Sequence, residues 1–109
     1  MRRPDLEIAS FDLTGRTAIV TGASRGLGKG LARALAAAGA DVVVAARAVP
    51  ELEQTAAQVR EYGRRALVVQ TDVSRSDQVN AMVEQAVATF GRIDILVNNS
   101  AVYHPKPVL

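Results

Sequence analysis

Cysteine and tryptophan are both missing from this 109-residue chain, and His104 is its only histidine. Without thiols there is no disulfide framework, no cysteine nucleophile and no thiolate metal site. A single histidine also removes the common zinc sites and the Ser-His-Asp type of hydrolase. A dominant charge is lacking too, since 13 basic residues face 11 acidic ones for a net charge of +2. The alkaline isoelectric point therefore overstates the basicity: almost nothing titrates between the carboxylates and the arginines. Arginines are scattered, with Arg2-Arg3 and Arg64-Arg65 the only adjacent pairs, so no basic stripe is available to track a nucleic acid backbone.

Long hydrophobic runs are absent as well. The longest apolar stretch, from Leu31 to Ala40, contains Arg33 and falls well short of the ~20 residues needed to span a bilayer. At the start of the chain Asp5 and Glu7 follow Arg2-Arg3, where a secretory leader needs an unbroken apolar core. A cytoplasmic protein without a membrane anchor is expected. The length allows one compact domain, 1–109, and is small for an enzyme that must hold both a cofactor and a substrate.

What is present is an alternation of two periodicities. Thr17–Thr21, Val42–Ala46, Ala66–Thr71 and Ile93–Val97 are short apolar runs rich in β-branched residues, suited to strands buried on both faces. Between them lie three helical patterns. The first starts near Leu27 with Leu31, Leu35 and Ala38 at helical spacing, and Gly39 stands where a left-handed cap is wanted. In the second, Pro50 opens a helix whose buried face takes Leu52, Ala56, Val59 and Tyr62 before Gly63. The third has a capping spacing at Ser74-x-x-Asp77, a stripe of Val79, Met82, Val83, Ala86, Val87 and Phe90, and a stop at Gly91. Strands alternating with helices of this length pair in parallel through right-handed crossovers. The predicted class is α/β, a doubly wound parallel sheet of four strands and three helices.

Three of the eight glycines fall at one junction, Thr21-Gly22-Ala23-Ser24-Arg25-Gly26-Leu27-Gly28, between the first strand and the first helix. Gly22 permits a sharp turn off the strand, Gly26 leaves room for a diphosphate against backbone N–H groups, and Gly28 permits close helix–sheet packing. A nucleoside triphosphatase loop is rejected by spacing. Gly28-Lys29 has Ala23 where that motif needs its first glycine, and Gly30 where it needs the magnesium-binding hydroxyl.

The order Thr21-Gly22-x-x-x-Gly26-x-Gly28, then Asp72-Val73 after the third strand and Asn98-Asn99 after the fourth, resembles the short-chain dehydrogenase/reductase family. The resemblance runs from about Phe11 to the end of the chain. It implies a Rossmann-type fold of strand order 3-2-1-4 and hydride transfer between a nicotinamide cofactor and a small carbonyl or alcohol substrate. Position by position, it implies that Gly22, Ser24, Arg25, Gly26, Leu27 and Gly28 hold the adenosine half and the diphosphate. Asp72 would accept a hydrogen bond from the adenine amino group, Val73 would contact the ring, and Asn98 would support the sheet beside Gly22. Read on its own, Asp72 is also a plausible helix-start signal. Ser100-Ala101 departs from the family's usual Ala-Gly at that point and leaves the nicotinamide side less defined.

The same resemblance bears on which cofactor is used. An NAD site usually has an acid after the second strand for the ribose 2′-OH, whereas Ala45-Ala46-Arg47 has none before Glu51. Arg25 and Arg47 match positions where NADP-using members carry basic residues. One charge-assisted hydrogen bond of ~1.5–3 kcal/mol would favour the phosphorylated cofactor about 10–150-fold. NADP is therefore expected over NAD; the plainer alternative is two solvated arginines.

The catalytic half of the pattern is missing. The family uses a Ser and a Tyr-x-x-x-Lys pair, but Tyr62 is followed four positions on by Ala66 and Tyr103 by Pro107. Ser100 lies inside the fourth-strand motif, and His104 has no partner for general-base work. No catalytic or metal-binding residue is assigned. The chain reads as the N-terminal, cofactor-binding part of a longer oxidoreductase, inactive and poorly soluble by itself. The opening Phe11-Asp12-Leu13-Thr14-Gly15-Arg16 is similar to reductases of sugar acids, polyols or 3-oxoacyl groups, and homo-oligomers are the family's habit. The competing reading is a short non-catalytic module that binds a nucleotide or a partner protein.

Overall fold

The computed structural model describes residues 12–99. Phe11, Ser100, Ala101, Tyr103 and His104 lie outside the described residues. Four strands, β1 (Thr17–Thr21), β2 (Asp41–Ala46), β3 (Ala66–Gln70) and β4 (Ile95–Asn98), alternate with helices α1 (Gly26–Ala37), α2 (Val49–Glu61) and α3 (Ser76–Phe90). The strands form one sheet in the order β3-β2-β1-β4, and every pairing is parallel. The parallel pairing is what the alternating pattern predicts, and the order is the incomplete Rossmann arrangement that the family resemblance implies.

Burial explains the strand sequences. All of β1 and the middle of β2 are buried, so each side chain must be apolar whichever face it takes. One face packs Val20, Val42 and Val44 against α1 and α2, through Ala32, Ala36, Leu52, Ala56 and Val59. The other packs Ile19, Val43, Ala45 and Val69 against Met82 and Ala86 of α3. Full burial of each of the larger aliphatic side chains contributes roughly 1.5–3 kcal/mol.

Four local expectations are corrected. On α1 the row against the sheet is Gly28, Ala32 and Ala36, one position on from Leu31 and Leu35, and Ala38 falls at the C-cap beyond the helix; small side chains let the helix sit close, and the leucines flank it. Tyr62 caps α2 and is exposed rather than packed. On α3 only Met82 and Ala86 are buried, and Val83 and Val87 are exposed. The cause is that α3 has its face of the sheet to itself among the described helices. Finally, β4 begins at Ile95, because Asp94 instead closes a clamp with β1: its N–H donates to the Thr17 carbonyl (2.8 Å) and its carboxylate accepts from the Thr17 N–H (2.9 Å).

The glycine and proline signals hold. Pro50 is in the first turn of α2, and Gly39, Gly63 and Gly91 all have positive φ after their helices.

Candidate cofactor-binding site

Parallel pairing puts the carboxyl ends of all four strands along one edge, and there the chain turns away into helices. A cleft of about 900 Å³ opens at this edge. Gly22, Ser24 and Arg25 line it from the β1 turn, Arg47 from the end of β2, Asp72 and Val73 from the end of β3, and Asn98 from β4. Seven of the ten residues predicted from sequence therefore meet around one space. Gly26, Leu27 and Gly28 do not line it; they form the first turn of α1 beside it, with Leu27 largely exposed.

The turn after β1 is built for close approach. Gly22 and Gly26 adopt φ of +64° and +61°, which L side chains rarely take. A Cβ at Gly26 would meet nothing within 4 Å, so the space beside it is open. Gly28 is the opposite case: a Cβ there would overlap the Gly22 carbonyl and lie 2.7 Å from Asn99 Nδ2. Ala23 ties the turn to its neighbours, its N–H donating to the Ala45 carbonyl (3.3 Å) and its carbonyl accepting from the buried Thr55 hydroxyl (2.8 Å). Helix α1 then starts without a side-chain cap and without an acid in its first turn, whereas α2 and α3 carry Glu51 and Asp77 there. Its leading N–H groups and the positive end of its dipole are therefore not offset by a carboxylate of its own first turn.

Charge follows the same arrangement. The Arg25 and Arg47 guanidiniums are exposed and make no hydrogen bond or ion pair with a described residue. Asp72 is held by its own turn. Its Oδ1 accepts from the Ser74 hydroxyl (2.6 Å) and N–H (3.0 Å). These bonds, with Arg47 and Arg75 nearby, keep its carboxyl below the usual carboxylate range. The Ser74-x-x-Asp77 spacing is not a cap, because the residue flanking α3 is Arg75 and no side chain bonds the helix start. Ser74 is spent on Asp72 instead.

Asn98 stands opposite Thr21 in the sheet register, and its Oδ1 accepts from the Thr21 hydroxyl at 3.1 Å. The residue that reaches the glycine turn is Asn99, whose Nδ2 donates to the Gly22 carbonyl at 3.4 Å. Asn99, Ser74, Thr71 and Glu51 line the cleft too and were not among the site residues expected from sequence. Asn99 stood in the motif; the others had no signal beyond proximity to it. Among the described residues no group of three or more His, Asp or Glu side chains could hold a metal ion, and no helix is long and apolar enough to cross a membrane.

A parallel sheet of this order, with a glycine turn and a cleft at its carboxyl edge, defines the Rossmann class of nucleotide-binding folds. Within that class, the family model described as short chain dehydrogenase matches residues 16–109, and the chain belongs to that family. It is 51% identical over 96 residues to a short chain dehydrogenase/reductase of Aspergillus oryzae, covering 87% of this chain and 36% of the relative. It is 41% identical over 102 residues to 2-dehydro-3-deoxy-D-gluconate 5-dehydrogenase of Escherichia coli, covering 94% and 40%. A crystal structure of hydroxysteroid dehydrogenase from Escherichia coli superposes with a TM-score of 0.82 at 33% identity, over 91% of this chain and 42% of that one. The chain thus spans well under half the length of these relatives. The family consists of oxidoreductases that use a nicotinamide cofactor, NAD or NADP.

Proposed function

We propose that residues 1–109 form the cofactor-holding part of a cytoplasmic NADP(H)-dependent oxidoreductase that acts on a small carbonyl or alcohol substrate. The observation that carries this reading is the pair of exposed guanidiniums, Arg25 and Arg47, neither hydrogen-bonded nor ion-paired to a described residue, at a cleft whose β2 end, Ala45-Ala46, supplies no carboxylate before Glu51 of α2. Arg25, Arg47 and the Ser24 hydroxyl would take a 2′-phosphate. The uncapped start of α1 and the open space at Gly26 would take the diphosphate. Asp72, ionised at neutral pH, would accept from the adenine amino group, with Val73 against the ring. Gly28 and Asn99 keep the Gly22 turn seated on α1, and Asn98 keeps it beside β4.

When bound, the nicotinamide supplies hydride chemistry; proton transfer to the substrate oxygen needs groups that these residues do not provide. No Tyr-x-x-x-Lys occurs in the sequence. The 109 residues by themselves therefore bind cofactor without turnover.

Titration of NADPH and of NADH into the protein tests the cofactor assignment. The expected result is tighter NADPH binding by about 10-fold, the lower end for charge-assisted bonds because both arginines are exposed. Equal affinity, or tighter NADH, would overturn it.

A further inference from the structure

Asp72 is held by four hydrogen bonds within its own turn. The Asp72 N–H donates to Gln78 Oε1 at 2.7 Å, and its carbonyl accepts from the Arg75 N–H at 3.0 Å. Oδ1 accepts from both donors of Ser74. Every polar group of Asp72 is thus used within 72–78 except Oδ2, which has no hydrogen-bond donor among the described residues. Gln78 reaches back from the first turn of α3 and does not itself line the cleft, so it touches a ligand only through Asp72.

We infer that Ser74 and Gln78 are positioning residues for base recognition, locking Asp72 so that one carboxylate oxygen is offered to a base bearing an exocyclic amino group. This rests on the cofactor-binding reading above. A carboxylate accepts and does not donate, so an amino group at that place on the base is welcomed and a carbonyl is repelled. A freely rotating Asp72 would give part of that preference away, because Arg47 and Arg75 are near enough to draw its carboxylate elsewhere. The locked turn makes the site selective for adenine over hypoxanthine.

The test compares NADPH with its hypoxanthine counterpart, which carries a carbonyl in place of the amino group. Both are titrated into the protein, Gln78→Met, Gln78→Glu, Ser74→Ala and Ser74→Thr. The unmodified protein is expected to prefer the adenine form by about 10-fold. Gln78→Met and Ser74→Ala, which remove one acceptor and one donor, should bring that ratio to within about 2-fold, while Gln78→Glu and Ser74→Thr, which retain them, should restore most of it. A purely structural role would weaken both ligands equally and leave the ratio intact, and that result overturns the inference. So does an unmodified protein that binds both forms equally. If the unmodified protein binds neither, the cofactor reading itself fails and this inference falls with it.

Discussion

The two ends of the sheet use charge in opposite ways. At the amino end the charges are consumed internally. Asp41 takes the Arg65 N–H (2.9 Å) and guanidinium (2.8 Å), and Arg65 also lies over the Phe90 ring at 4.7 Å. Asp94 takes Arg92 (2.7 Å) and the Thr17 N–H, with Arg16 at 3.7 Å. At the carboxyl end Arg25 and Arg47 make no such bond with a described residue, Asp72 keeps one oxygen open, and α1 begins uncapped. The amino end spends its charges on closing the fold; among the described residues the carboxyl end leaves its charges unpaired.

The sharpest way to break this contrast is Gly28→Ala. Its Cβ would press on the Gly22 carbonyl and Asn99, so we expect about 1–3 kcal/mol of lost stability together with a loss of NADPH affinity of 10-fold or more. Calorimetry with and without cofactor checks both. Next is Arg47→Ala, which should weaken NADPH about 10-fold, leave NADH unchanged and leave the melting temperature within error. Binding titrations and a thermal melt measure this.

Asp41→Ala probes the amino end. Arg65 is largely exposed, which limits the pair's worth to about 1 kcal/mol, a fall in melting temperature of about 4–8 °C, with NADPH affinity unchanged below the transition. The smallest effect is on pH. Burial raises the Asp41 carboxyl but its bonds to Arg65 outweigh that, and Arg92 and the Thr17 N–H lower Asp94, so both fold with depressed values. Their stabilisation is complete above the unfolded value near 3.8 and is lost as pH falls through the lower folded value. Melting temperature should therefore drop below about pH 4, and Asp41→Asn should shallow that drop.

The contrast also marks what a sequence can reveal. The strands and the glycine turn were legible because continuous apolar runs and φ > 0 positions constrain the chain wherever they fall, whereas the strand order came from the family resemblance. The buried row of α1 was not: Leu31 and Ala32 are both apolar, and only the close approach of helix to sheet selects the small one. Val83 and Val87 looked like core because periodicity describes a face and not whether anything covers it. In the cleft, the motif after the third strand pointed to Asp72 and the family's NADP positions pointed to Arg47, but Asn99 on Gly22, Thr55 on Ala23 and Gln78 on Asp72 are contacts to backbone atoms, which carry no residue-type signal at the receiving end.

The most direct test is amide chemical-shift mapping on addition of NADPH. The account predicts shifts confined to the carboxyl end, at residues 22–28, 46–51, 71–74 and 98–99, with Asp41, Arg65, Arg92 and Asp94 unmoved. Shifts centred on those four, or none at saturating cofactor, would contradict it.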